Sequence, residues 1–435
     1  MDLVVKKISQ IKGHVVCPAS KSYSIRAFII AACGGKSNII SPSDCDDAKT
    51  ALKTAKALGA KIIKFNNGFN VQGDILPLKQ KTVCVDESGT VLRFLLPLLA
   101  LHDQQVIVEG KGSLIGRPNT FLIKTLQDMG VNIKGSGDKH SVPIKLNGGV
   151  MSGGKIKIDA SVSSQFVSAL LIACPQLAVD TSLTLTGDLV SGDYITMTLQ
   201  MLERAGIKIK INRDRRYLLS KTNKINSVCP YLLIPGRQKY KGLKNFHVPS
   251  DYGLAAFLMG AAALVKSNVS LKGCFDDSLV QADGHIIEFL ERMGVKMVRT
   301  KKSIKIKGPF ELKGGDFSLK ACPDLVPIMA VLALFAKGRT RLYNIAHAKV
   351  KESDRISDLR KELLKVGADV RESKDELLIY PREEYKSGQI LDPHNDHRLA
   401  MAFSILGLRI GCTVKNIECS HKSYPGFVKD FRSIL

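Results

Sequence analysis

"ALKTAKALGAKIIK", residues 51–64, carries the reading of the fold: an amphipathic helix runs up to Gly59, and a short alternating strand follows. Gly59 stands where a helix ends in the left-handed conformation, which glycine adopts without steric penalty. The same order recurs in "FLIKTLQDMGVNIK", "TLQMLERAGIKIK", "IIEFLERMGVKMV" and "LRKELLKVGADV", with Gly130, Gly206, Gly294 and Gly367 at the junctions. These glycines stand 71, 76, 88 and 73 residues apart, the length of a small α/β unit and far longer than a solenoid repeat. Between them lie strand patterns such as "TVCVD", "QVIVEG", "KIKID", "SLTLTG", "NVSLKG" and "SIKIKG". Two or more strands for each pair of helices predicts a βαβαββ unit used five or six times. At 435 residues the chain is also too long for one ordinary core, so two or three domains are expected.

The formal charge of +24, from 64 basic against 40 acidic residues, admits nucleic acid, an anionic membrane surface or anionic small molecules as partners. The lysines are spread along the whole chain, without a block of five or six like charges. Trp is absent and aromatic residues make up 6%, whereas proteins that stack bases interleave aromatic with basic residues. No nucleic-acid partner is therefore expected, and the surplus reads as a lysine-rich solvated surface. The ten cysteines show no CxxC and no regular spacing, and several sit in apolar runs, where cysteine behaves as a small hydrophobe. "MDLVVKKISQ" lacks the layout of a signal peptide, and the uncharged stretch from Tyr252 to Val265 is too short to span a bilayer. A reduced, cytoplasmic protein without a membrane partner is expected.

Recurring helices bring recurring N-termini, which are natural anion sites. "ESGTVLRFLLPLLAL" places Gly89 and Thr90 at a helix start with Arg93 nearby, and "SVSSQFVSALLIAC" places Ser163, Ser164 and Gln165 at another. "LVSGDYITMTLQML" sets Ser191 and Tyr194, and "DPHNDHRLAMAFSIL" sets Asp396, His397 and Arg398, at two more. "PASKSYSIRA", residues 18–27, crowds Lys21, Ser22 and Arg26 into one segment. Ser and Thr also cap helices for stability alone, so each site singly is weak. "GGKSN" at 34–38 imitates a phosphate-binding loop, but Ile30 stands where that motif needs glycine, and a loop is expected there. "VKESDRI" packs Lys351, Glu352, Asp354 and Arg355 together, equally compatible with a salt-bridged helix start. "DPHNDHR" suggests a metal through His394, Asp396 and His397, but no further ligand cluster supports it, and no metal is expected.

Taken in order, "PASKSYSIRA", "ESGTVLRF", "GRP", "SVSSQF", "SGDY", "PSDYGLAAF", "PDLVPIMAVLALFAKG", "AKVKESDRI", "NDHRLAMAFS" and "KSYPGF" resemble the 5-enolpyruvylshikimate-3-phosphate synthases (3-phosphoshikimate 1-carboxyvinyltransferases) of the enolpyruvyltransferase family. The resemblance is collinear from about residue 12 to residue 427. It implies an α/β fold, a two-domain inside-out α/β barrel in which each domain is built from three βαβαββ repeats with helices packed inward. One domain would combine 1–19 with 248–435, the other would be 20–247, and the active site would lie in the cleft between them.

The implied reaction joins phosphoenolpyruvate (PEP) to the 5-hydroxyl of shikimate 3-phosphate and releases phosphate, through a tetrahedral intermediate, in aromatic amino-acid biosynthesis. Residue by residue, the match implies that Lys21, Ser22, Arg26, Ser163, Ser164, Gln165, Ser191, Tyr194, Asp324, His347 and Lys351 hold shikimate 3-phosphate. It assigns Lys21, Gly89, Arg93, Arg117, Gln165, Arg355, Arg398 and Lys422 to PEP. Asp324 is the candidate base at the attacking hydroxyl and Glu352 the candidate acid–base at the PEP methylene, assisted by Lys21 and Lys351. No metal or organic cofactor is implied, and a monomer is expected. Departures are Glu87-Ser88 before Gly89, which brings an extra carboxylate toward the PEP residues, Phe94 where many members have proline, and His347 where some have asparagine. The family is the target of glyphosate, which occupies the PEP site, and Gly89 predicts sensitivity. The alternatives are the sister transferase acting on UDP-N-acetylglucosamine, whose reactive cysteine is missing from "GKGSLIGRP", and a basic nucleic-acid-binding protein.

Overall fold

A computed structural model describes residues 1–212 and 231–435. The chain divides into two compact units, Met1–Ala19 with Pro249–Leu435 and Ser20–Val248. Val248 falls with the latter because its amide donates to Ile40 O at 3.0 Å, prolonging the pairing of Lys244–His247 with Gly35–Ile40.

Thr82–Cys84, helix Gly89–Leu99, Gln105–Glu109, helix Thr120–Asp128, Ile133–Ser136 and Ser141–Asn147 show the repeat whole. Its first two strands are parallel, Val83 beside Val108. The second strand meets the fourth antiparallel, and the third folds back on the fourth. Gly154–Asp159 with Thr181–Thr186, Tyr231–Ile234 and Lys210–Asn212 repeats this order, as does Asp316–Ser318 with Thr340–Tyr343, Glu376–Tyr380 and Asp369–Glu372. Two further sheets take their first strand from across a domain passage: Lys244–His247 lies on Gly35–Ile40, and Gln10–Val16 lies on Lys266–Lys272. The sixth sheet has three strands, Gln389–Leu391, Cys412–Val414 and Leu3–Val5. Among the described residues there are thus six separate small sheets, three to a unit, and none closes on itself into a barrel.

All five junction glycines have positive φ, 101° at Gly59, 94° at Gly130, 84° at Gly206, 95° at Gly294 and 81° at Gly367. The long interval of 88 residues contains Lys244–His247, which belongs to an earlier repeat. "GGKSN" is corrected from a loop to part of strand Gly35–Ile40, held between Lys244–His247 and Gly68–Gly73.

Within each unit the helices pack on one another and the sheets cover them. Helix Tyr252–Leu264 is buried at every position, and Lys21–Ala32 at all but Ser22. Strands alternate instead, as in Thr181–Thr186, where every second residue is buried. Most of the described cysteines are buried, and burial pushes the Cys174 thiol up to about 12. Cys229 lies outside the described residues. No described helix is long and apolar enough to cross a membrane.

Candidate active site

In the unit Ser20–Val248, helix starts carry the cations. Ser20 caps Lys21–Ala32, accepting from the Tyr23 amide, which puts Lys21 at the first position with Nζ 3.2 Å from Asp47 Oδ2. Arg26, one turn on, is 1% exposed. Its Nε donates to Thr198 Oγ1 at 2.9 Å, Nη1 to Ser22 O at 3.0 Å and Nη2 to Tyr194 O at 3.0 Å. The guanidinium also lies over Phe94 at 5.3 Å and Tyr194 at 5.9 Å. Every one of these partners is neutral. Burial therefore lowers the Arg26 pKa to about 10, because desolvation disfavours a charge that no carboxylate offsets.

Ser88 caps Gly89–Leu99 and Ser163 caps Ser164–Ala173, each accepting a backbone amide. Arg93 from the first helix donates to Gln165 Oε1 of the second, to Asn119 Oδ1 at 3.2 Å and to Pro118 O at 3.1 Å, with the Phe166 ring 4.9 Å beneath it. Gln165 Nε2 returns a bond to Thr90 Oγ1 at 3.0 Å. Arg117 lies against Gly89 so closely that a Cβ there would sit 3.0 Å from Nη1. Ser191 starts helix Gly192–Arg204 in a left-handed conformation, φ 54°, with its hydroxyl buried. The departures fall into place here. Phe94 is the floor under Arg26, and Glu87 turns to Ser113, accepting from its amide at 3.1 Å and its hydroxyl at 2.8 Å.

The other unit is built differently. Asp354 caps helix Arg355–Lys365, and Asp396 caps His397–Ile410, bringing Arg355 and Arg398 to the first turns. Arg355 is fully buried and donates to Asp396 Oδ2 at 2.8 Å, Asp324 Oδ1 at 2.8 Å and Glu352 Oε2 at 2.9 Å. Burial opposes its charge, but Asp396, Asp324 and Glu352 outweigh it and hold the guanidinium pKa above its ordinary value. Arg398 Nη2 donates to Asp324 Oδ2 at 3.0 Å, and Lys422 Nζ stands 3.8 Å from Glu352 Oε1. Both oxygens of the candidate base Asp324 thus accept from guanidiniums. His347, 7% exposed, is pushed down to about 3 by burial and then by Lys351, so it is a neutral imidazole at physiological pH.

The two units surround their arginines differently. Arg26 rests on neutral acceptors and aromatic rings, whereas Arg355, Arg398 and Lys422 are interleaved with Asp324, Glu352 and Asp396. Glu352, Asp396 and His397 lie close enough to share an ion. Arg355 bonds both carboxylates and Lys422 faces Glu352, so cations of the chain already occupy that charge. His394 goes instead to Glu362, Nε2 to Oε1 3.3 Å.

Sequence reasoning did not single out Asp47, Asn119, Thr198 or Asp283, which hold or face the cations. Asp47 follows Asp46 in "SDCDDAK", a pattern indistinguishable from acids that favour a helix N-terminus. Asn119 and Thr198 carry no signal at all, because their role depends on a partner far along the chain.

A family model described as EPSP synthase (3-phosphoshikimate 1-carboxyvinyltransferase) matches residues 5–431. The chain is 34% identical to the 3-phosphoshikimate 1-carboxyvinyltransferase of Methanosarcina acetivorans, over 98% of this chain and 96% of that protein. It is 33% identical to the enzyme of that name from Clostridium perfringens, over 100% and 98%. The solved EPSP synthase of Acinetobacter baumannii matches with a TM-score of 0.78 at 25% identity, covering 100% of this chain and 98% of that one. The enolpyruvyl transferase NikO from Streptomyces tendae, 16% identical with a TM-score of 0.75, shares the fold. With the motifs in register and both chains matched end to end, this chain belongs to the EPSP synthase family.

Proposed function

We propose that this chain transfers the enolpyruvyl group of PEP to the 5-hydroxyl of shikimate 3-phosphate and releases phosphate. The observation that carries the reading is Arg26, a buried cation whose acceptors are all neutral. Such a charge is expensive unless a ligand supplies the anion. Each substrate has a carboxylate and a phosphate, and the planar guanidiniums of Arg26, Arg93 and Arg117 suit both groups. In this reading Ser22, Arg26, Ser163, Ser164, Gln165, Ser191 and Tyr194 hold shikimate 3-phosphate, and Lys21, Arg93 and Arg117 hold PEP.

The acid–base work falls to the carboxylate-rich unit. Arg355 and Arg398, turning to the PEP carboxylate, loosen their grip on Asp324, which then takes the proton of the attacking hydroxyl. Glu352, beside Lys422 and assisted by Lys21 and Lys351, delivers a proton to the PEP methylene and later removes one as phosphate leaves. Neutral His347 offers a hydrogen bond to the phosphorylated substrate without adding charge. The reading takes the protein as a cytoplasmic monomer that uses neither metal nor nucleic acid.

Phosphate release from PEP is the test, with shikimate 3-phosphate, with UDP-N-acetylglucosamine, or with neither. Release only with shikimate 3-phosphate is expected. Release with the nucleotide sugar, or none at all together with salt-sensitive retention on DNA, would replace this reading.

A further inference from the structure

We propose that Asp283 is a positioning residue for the reaction, governing through Arg398 how firmly Asp324 is held. The inference rests on the transferase reading above for the tasks of Arg398 and Asp324. Asp283 lies in the single-turn helix Ala282–His285 and is 6% exposed. Its Oδ2 is 3.9 Å from Arg398 Nη2, the nitrogen that donates to Asp324 Oδ2 at 3.0 Å. One guanidinium nitrogen therefore stands between two carboxyl groups.

The neighbouring helix is cut away to admit this arrangement. A Cβ on Gly253 would lie 2.2 Å from Asp283 Oδ2 and 2.9 Å from Arg398 Nη1. Gly253 sits inside helix Tyr252–Leu264 and has no positive φ, so its missing side chain provides space rather than backbone freedom. The charged groups acting on Asp283 are Asp324, Arg398, Arg355 and Asp251, the cap of that helix. Burial, and next Asp324, push the Asp283 carboxyl up to about 7, against the pull of Arg398.

Near neutral pH the group therefore passes between acid and carboxylate. As a carboxylate it draws Arg398 and weakens the bond to Asp324, leaving Asp324 the better proton acceptor. As a neutral acid it leaves Arg398 on Asp324. The folded state keeps this proton to higher pH than the unfolded chain does. Its contribution to stability is therefore present at acid pH and lost as pH rises toward 7.

Steady-state phosphate release by the wild type, Asp283→Asn and Gly253→Ala, followed across neutral pH, is the experiment. Both variants are expected to raise KM for PEP about tenfold while KM for shikimate 3-phosphate holds. Asp283→Asn is also expected to lose a step in the wild-type kcat profile near neutrality. A wild-type KM for PEP and an unchanged profile in Asp283→Asn would overturn the proposal, as would an equal fall in kcat at every pH. If Asp283→Asn does not fold, the KM split in Gly253→Ala decides the matter. If the wild type releases no phosphate, the functional reading fails by itself, and melting temperature against pH judges the pairing. There Asp283→Asn must lack the wild-type decline between acid and neutral pH, and parallel curves would sink it.

Discussion

A methyl group on Gly89 would stand 3.0 Å from Arg117 Nη1 and 3.1 Å from its Cζ. Gly89 is not in the left-handed region, so the residue is small there to let a guanidinium approach a helix N-terminus. Gly89→Ala moves Arg117 by a few tenths of an ångström. It should raise KM for PEP about tenfold, with wild-type folding retained. Glyphosate is expected to inhibit the wild type in competition with PEP and to inhibit Gly89→Ala far less. An inhibition curve for the wild type that stays flat to millimolar glyphosate, at low PEP, would count against this. The cations themselves are legible in the sequence, since Arg93, Arg117, Arg355 and Arg398 each stand in a recognisable motif. Their counter-groups are not. Nothing local marks Thr198 for Arg26 or Asn119 for Arg93, and Asp283 sits in a one-turn helix with no periodicity to betray a buried face.

At the scale of elements, the helix-ending glycines are where sequence and structure agree most closely. The agreement is physical, because each helix must reverse within one residue and only glycine does so without strain. At Gly367 a Cβ would meet nothing nearer than Lys386 Cγ at 3.9 Å, so space is available and only the backbone, at φ 81°, resists. Gly367→Ala should then cost about 1 kcal/mol, seen as a fall of about 2–4 °C in melting temperature, and Gly367→Asn less. Equal melting of all three would show that the left-handed conformation does not decide stability there. Strands that borrow distant partners were the harder part to read. Gly35–Ile40 contains "GGKSN" material that looks like a loop, and it becomes a strand because Lys244–His247 and Gly68–Gly73 flank it. Leu3–Val5 and Gln389–Leu391 are three residues each, too short for any alternation to register.

For the whole molecule, the decisive fact is that one unit is interrupted by the other. Residues 20–248 contain all three of their own sheets, so this stretch expressed alone is expected to melt cooperatively. Residues 249–435 alone lack Gln10–Val16 and Leu3–Val5, leaving two sheets with unpaired edges. They are expected to be unfolded or aggregated, and to recover when residues 1–19 are supplied as a peptide. A cooperative transition from 249–435 by itself would refute this. The same interruption imposes a schedule on biosynthesis. The strand Leu3–Val5 is made before the inserted unit, yet its partner Cys412–Val414 is made only after it. At translation speeds of about 5–20 residues per second, the first-made strand waits roughly 20–80 s for its mate. During that interval the inserted unit Ser20–Val248 can finish folding, so the order of synthesis completes it before the unit that combines Met1–Ala19 with Pro249–Leu435.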